Sequence, residues 1–245
     1  MIPTLQLGGL GRARAQSQAS IPTWEEVITD LAPVIWLTMD QASPSDIETA
    51  GNAGSWGGTV SMRIPPDTLT CGNASIMPSE PSRDCVNVGA GLDAASIVVA
   101  STVTNNATMY FIYSGTTGNP EAVAWRARNW FLRFDGTFIR FRIRNANGTT
   151  TVAASSVLDG NPHLIGFDVT SSAAELWVDG LMLWSGSVAG SEASGTTWSY
   201  MANASSGSVA RQKLYGYFGD FVVFDKSLSD TEHGEIYAAY MGVAP

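Results

Sequence analysis

Residues 175–184 read Glu175-Leu176-Trp177-Val178-Asp179-Gly180-Leu181-Met182-Leu183-Trp184. Two apolar runs flank an Asp-Gly pair. That dipeptide predicts a two-residue type I′ hairpin, because both central residues must adopt φ > 0. Pairing across the turn sets Leu176, Val178, Leu181 and Leu183 on one face, with Glu175, Trp177, Met182 and Trp184 on the other. A second Asp-Gly, in Phe134-Asp135-Gly136-Thr137, predicts another hairpin. Outward from these, β-branched and aromatic runs recur at 34–39, 96–103, 108–113, 122–126, 130–134, 137–144, 163–169, 214–218 and 221–224. Clusters of Gly, Asn, Asp, Ser and Pro separate them, with no amphipathic helix between strands. The fold class is therefore all-β, with antiparallel pairing in a sandwich or barrel.

Two helices bracket the strands. Thr23-Trp24-Glu25-Glu26 is a capping box that opens a short helix to about Leu31. Ser229-Asp230-Thr231-Glu232 is a second, opening a helix in which Ile236, Tyr237 and Tyr240 recur at helical spacing before Gly242. Residues 190–209 read as a long Ser/Gly/Ala-rich loop. No repeat or linker divides 23–245, which is expected to form one domain. Residues 1–22 form an arm in which Ile2, Leu5, Leu7 and Leu10 alternate with Gly and polar residues without a period. Three fates are open to it: packing back as a strand, disorder, or docking on a partner by strand addition.

The chain has 245 residues, 44% hydrophobic and only 14% charged, which excludes intrinsic disorder and provides enough apolar area for a core. A net charge of −9 argues against nucleic acid, whose phosphates demand a basic field. No run approaches the roughly 18–20 apolar residues that cross a bilayer. Arg12 and Arg14 follow the apolar part of the N-terminus instead of preceding it, which is not the order of a secretory signal. The expectation is synthesis in a cytoplasm. Cys71 and Cys85 bracket a loop containing Pro78 and Pro81. Whether they bridge is open; a bridge would contribute about 3 kcal/mol through chain entropy.

Gly160-Asn161-Pro162-His163-Leu164-Ile165-Gly166-Phe167-Asp168, the hairpin at 175–180, Gly219-Asp220-Phe221-Val222-Val223-Phe224-Asp225 and Ser227-Leu228-Ser229-Asp230 occur in that order. Together they resemble the laminin-G-like, concanavalin A-like jelly-roll family. Its members carry a His-led strand, an aromatic-x-Asp-Gly hairpin, a Gly-x-apolar-Asp strand and a terminal helix. The resemblance is clearest over about 155–245 and looser from about 32. It implies an antiparallel jelly-roll β-sandwich with short N- and C-terminal helices, and says little about function, since one sandwich hosts lectins, hydrolases and structural modules.

Hydrolases of that family set two or three carboxylates on one strand, as acid and nucleophile or base require. Here acids are dispersed. Glu25, Glu26 and Asp30 cluster on the first helix, where acids simply favour the dipole. No Gly-x-Ser-x-Gly elbow or phosphate loop occurs. His163 is expected to be structural and His233 solvated, and two separate histidines with two cysteines do not make a zinc site. No cofactor is expected; the one alternative is calcium on loop carboxylates such as Asp67, Asp84 or Asp93. No catalytic residue is assigned.

One constellation stands out. Six of thirteen basic residues (Arg126, Arg128, Arg133, Arg140, Arg142 and Arg144) fall within 126–144 of an acidic chain. Pairing Phe134 with Thr137 would set Arg133 opposite Phe138 and Phe131 opposite Arg140. One side would then carry Phe131, Arg133, Phe138, Arg140, Arg142 and Arg144. Guanidinium forks suit carboxylates and sugar hydroxyls and stack on rings. This is the candidate face for a glycan or a partner subunit; the alternative is a solvated face whose arginines pair with neighbouring acids.

The resemblance and these exclusions together imply a non-catalytic virion protein of a bacteriophage, decorating head, tail or fibre. The arm would bind other virion proteins within a homo-oligomeric assembly, and host-surface carbohydrate would be a further partner. The alternatives are a free or cell-surface lectin-like protein and a glycoside hydrolase or lyase on the same fold.

Overall fold

Thr23 caps the first helix, α1 (Trp24–Asp30), as its sequence predicts: its hydroxyl accepts from Glu26 N at 3.2 Å, while the Glu26 carboxylate accepts from Thr23 N at 2.8 Å. Ser229 and Glu232 repeat the arrangement at α2 (Asp230–Met241), and Gly242 closes that helix in the left-handed region. The computed structural model of the chain describes residues 20–37, 61–62, 76–83, 85–88, 97–100, 106–115, 121–126, 130–135, 138–143, 149–153, 157–170, 172–187, 197–200 and 216–245. Strands at 61–62, 86–88, 97–100, 121–126, 130–135, 138–143, 149–153 and 197–200 are described through backbone pairing alone, as are Ile35 and Leu37. No helix among the described residues is long and apolar enough to cross a membrane.

Among the described residues fourteen strands pair antiparallel in two sheets, an antiparallel β-sandwich. The first sheet runs β1 (Ile35–Leu37), β14 (Gly216–Phe224), β5 (Ala107–Ser114), β10 (Pro162–Val169), β11 (Ala173–Val178) and β12 (Leu181–Ser187), with β3 (Val86–Val88) also on β14. The second runs β2 (Ser61–Met62), β4 (Ile97–Ala100), β13 (Thr197–Tyr200), β6 (Glu121–Arg126), β7 (Trp130–Asp135), β8 (Phe138–Ile143) and β9 (Thr149–Ala153). β13 lies inside the stretch expected to be loop. Its Thr and Tyr content is strand-like, but the Ser/Gly-rich flanks hide it.

Both faces of the first sheet are covered, so all eight residues of β5 are buried. Tyr110, Ile112, Leu164 and Val222 pack against Trp24 and Ile28 of α1 and Ile236, Ala239 and Tyr240 of α2. The alternate residues, among them Met109, Phe111, Tyr113, Phe167 and Leu176, are equally buried. The predicted type I′ turn is present, with φ 49 at Asp179 and 75 at Gly180. A Cβ on Gly180 would come within 2.5 Å of the Tyr237 ring, so the hairpin tip lies directly against α2.

Beyond this turn the pattern departs from strict alternation. Trp177 faces Met182 as expected, but Leu176 faces Trp184, because a bulge leaves Leu183 extra. Leu181 is 67% exposed and not a core residue: it begins the edge strand β12 at the turn, where no further strand of this sheet flanks it.

β14 holds the structural centre. It joins two runs separated in the sequence reading, with a register shift against β5 between Phe218 and Phe221. The shift turns Asp220 to the helix-covered side, where it is 1% exposed. Its Oδ2 accepts from Trp24 Nε1 at 2.9 Å, Trp36 Nε1 at 2.8 Å and Arg83 Nη2 at 2.7 Å; its Oδ1 accepts from Arg83 Nε at 2.9 Å. Arg83 Nη1 donates further to Glu25 and Glu80. Burial alone would weaken the guanidinium's hold on its proton, but Asp220 more than offsets this and raises its pKa. Partial burial raises both glutamates; at Glu25 the Arg83 hydrogen bond prevails and the carboxyl sits low, while Glu80 sits high. The acidic cluster on α1 is thus partly a structural ion-pair network.

Cys85 is disulfide-bonded, in a chain whose only other cysteine is Cys71. His163 begins the β10 register. Its Nδ1 meets Asp179 Oδ2 at 2.6 Å and its Nε2 meets Asp159 Oδ1 at 3.1 Å, while Leu164 N donates to Asp179 Oδ1 at 2.9 Å. The expected structural role of His163 is to hold strand start and hairpin tip together.

Removing one partner of a buried ion pair strands the other, so Asp220→Ala is expected to cost about 3–5 kcal/mol in urea unfolding. A loss below about 1 kcal/mol would show that the network is not what holds α1 to the sheet. The Asp179 hydrogen bond raises the His163 pKa above its ordinary value of 6.5, against partial desolvation. Folding therefore favours the imidazolium: its stabilisation is full below the unfolded value and is lost as pH rises through the raised folded one. The wild-type minus His163→Gln difference in urea midpoint should fall as pH is raised above 6.5; a difference that grows would contradict the assignment.

Candidate functional site

β7 and β8 form the expected hairpin in a register two residues from the predicted one. Asp135, not Phe134, closes it opposite Phe138; Arg133 faces Arg140 and Phe131 faces Arg142. Gly136 and Thr137 lie outside the described residues. A two-residue slip preserves the period-2 alternation, so the grouping of Phe131, Arg133, Phe138, Arg140 and Arg142 on one side survives. Arg144 and the side chains of the other five lie outside the described residues.

Register nevertheless decides which residues neighbour them. One cross-strand row reads Trp125, Phe131, Arg142, Thr149; the next reads Ala122, Arg133, Arg140, Thr151. Neither row contains a carboxylate. Asp135, in the row of Phe138 and Ala153, is the acid nearest by register. The arrangement gathers three arginines and two aromatics in adjacent rows with few acidic neighbours.

A second cluster was not anticipated. Asp168 on β10 and Glu175 on β11 are direct cross-strand partners, and both point toward α2, where His233 occupies the first turn. His233 is 0% exposed, which corrects its expected solvation. The α2 stripe Ile236, Tyr237, Tyr240 extends back at 3.6-residue period to His233, and that signal was available in the sequence. The imidazole stacks on Trp177 with centroids 4.0 Å apart and planes at 13°, and its Nδ1 is hydrogen-bonded to the Tyr110 hydroxyl. Burial raises the Tyr110 pKa well above its usual value, with the Asp168 charge adding to it, so the phenol keeps its proton. Tyr110 can lie there because its cross-strand partner is Gly166, where a Cβ would come within 2.4 Å of the ring.

Asp168 is 2% exposed. Its Oδ2 accepts from Ser227 Oγ at 2.6 Å and Leu228 N at 3.1 Å, which ties the approach to α2 onto the sheet. Its Oδ1 and His233 Nε2 are buried without a hydrogen-bond partner among the described residues. Glu175, half-buried, accepts from Trp177 Nε1 at 3.2 Å. Asp168 and Glu175 are a cross-strand carboxylate pair packed beneath α2, Asp168 buried and Glu175 half-buried. Asp67, Asp84 and Asp93 lie outside the described residues.

No protein-family model matches the chain, and no curated protein does. Solved structures do match in fold. The binding domain of botulinum neurotoxin DC in complex with rat synaptotagmin II aligns with TM-score 0.58 at 12% identity, over 87% of this chain and 52% of that one. Botulinum neurotoxin type C, which enters cells dependent upon interaction with two ganglioside molecules, aligns with TM-score 0.59 at 11% identity over the same shares. The binding domain of Paraclostridial Mosquitocidal Protein 1 aligns with TM-score 0.60 at 10% identity, over 85% of this chain and 52% of that one. The chain spans about half the length of these structures, and at such identities the likeness is one of fold: a β-sandwich shared with binding domains.

Proposed function

We propose that this chain is a non-catalytic binding domain whose ligand is an acidic glycan, held on the β7–β8 side of the second sheet. The observation that carries the reading is the fold likeness to toxin binding domains over 85–87% of the chain, one of them from a toxin that requires gangliosides. The register of the hairpin supports the ligand's charge. Directly opposed like charges such as Arg133 and Arg140 destabilise a sheet unless an anion lies between them. Carboxylate-bearing sugars offer that anion together with hydroxyls for the remaining guanidinium donors, and pyranose faces for the aromatics.

In the same reading the domain is a virion decoration module of a bacteriophage, with residues 1–22 as the tether to other virion proteins; the laminin-G-like resemblance together with the absence of a recognised catalytic motif in the sequence motivates it. What supports the tether is that, among the described residues, Ser20–Thr23 are exposed and the first buried one is Trp24.

Arg140→Ala/Arg142→Ala is expected to weaken binding on a glycan array by about tenfold or more, since charge-assisted hydrogen bonds contribute roughly 1.5–3 kcal/mol each. Binding confined to neutral sugars, or unaltered in the double variant, would refute the assigned face. Deleting residues 1–22 should leave a folded domain, by circular dichroism, that no longer joins its particle. A truncated chain that still assembles removes the arm's role.

A further inference from the structure

The cluster beneath α2 has the chemistry of a metal site, and we propose that Asp168, Glu175 and His233 bind a divalent transition-metal ion of the zinc type. Each offers one ligand atom, and the three lie within 4.8 Å of one another. His233 Nε2 is 3.8 Å from Asp168 Oδ2, too far for a hydrogen bond. Tetrahedral zinc with bonds of about 2.0–2.2 Å needs ligand atoms roughly 3.3–3.6 Å apart, so modest side-chain movement closes the set on an ion.

The second observation is independent of that spacing. Two polar atoms of these residues, Asp168 Oδ1 and His233 Nε2, are buried and have no hydrogen-bond partner among the described residues, and Nε2 is turned toward the Asp168 carboxylate. A buried carboxylate oxygen and a buried imidazole nitrogen left unsatisfied within one cluster are what a bound cation would complete. The surroundings match those of a ligated histidine. Nδ1 is engaged by the Tyr110 hydroxyl, which leaves Nε2 for the metal, and the stacked Trp177 ring fixes the imidazole plane. The second Asp168 oxygen is anchored by Ser227 and Leu228 N, and Glu175 by Trp177 Nε1. One nitrogen and two carboxylates favour zinc, manganese or iron over calcium and magnesium, which prefer all-oxygen shells. A fourth position, on the half-exposed Glu175 side, is left to water. The inference departs from the expectation of no cofactor, and it does not depend on the glycan reading.

The test is calorimetric titration of chelator-stripped full-length protein with Zn²⁺. The expected result is one ion per chain. Glu175→Gln, at a half-buried position that the fold tolerates, should weaken binding by at least about 10–100-fold, the range lost with even an outer-shell contact. His163→Gln removes the chain's only other imidazole and should leave binding unchanged. In ¹⁵N spectra of the wild type, Zn²⁺ should shift the His233 Nε2 resonance and leave His163 in place. Absence of one-to-one binding, binding unaffected by Glu175→Gln, or binding lost with His163→Gln would each overturn the proposal.

Discussion

A buried carboxylate must be matched by donors, and the demand of Asp220 shapes everything around the first sheet. Its two oxygens take four hydrogen bonds from three separate segments: α1 through Trp24, β1 through Trp36 and the 76–83 loop through Arg83. The register shift between Phe218 and Phe221 sets Asp220 in phase with Val222, on the face that α1 and α2 cover. The bulge is therefore what lets an acidic residue close the outer layer. Two indole N–H groups are suited to this, since each ring fills core volume while its single donor reaches the anion.

What the sequence made legible was what is local. Capping boxes and Asp-Gly turns act over a few residues, so Thr23, Ser229 and Asp179 could be placed without knowing the rest of the fold. The Asp220 network spans 137 to 196 residues of chain, and nothing near Arg83 or Trp24 advertises a partner so distant. Registers fall between these cases. The 135–138 turn was displaced by two residues, which alternation tolerates, whereas the bulge at Leu183 reversed a face assignment, which alternation alone cannot foresee. The arginine-bearing segment was legible as a hairpin but not in its register, and its side chains lie outside the described residues. His233 was misplaced because a helix near the end of a chain was read as solvated, when its own apolar stripe already included that position.

The two sheets divide the work. The first has helices on one face and apolar burial on the other, so its polar side chains are consumed in joining elements: Asp220 to α1, His163 to the hairpin, Asp168 to the approach to α2. Function carried by such a sheet would have to be enclosed. The second sheet places Arg133, Arg140 and Arg142 in two cross-strand rows that hold no carboxylate among the paired residues of β6 to β9, and that register is what the proposed binding face rests on.

The contrast between the two buried aspartates bears on the last question. Asp220 accepts four hydrogen bonds and has a guanidinium beside it, so both its charge and its lone pairs are met. Asp168 is buried to nearly the same degree, yet it accepts two hydrogen bonds, both on one oxygen, and no Lys or Arg ion pair reaches it among the described residues. Its nearest basic group is His233, held away at 3.8 Å and tethered by Tyr110 and Trp177 to that position. If the same electrostatic rule governs both sites, the positive charge that Arg83 provides beside Asp220 has to come from another source beside Asp168, and an ion shared with Glu175 and His233, as proposed, would supply it.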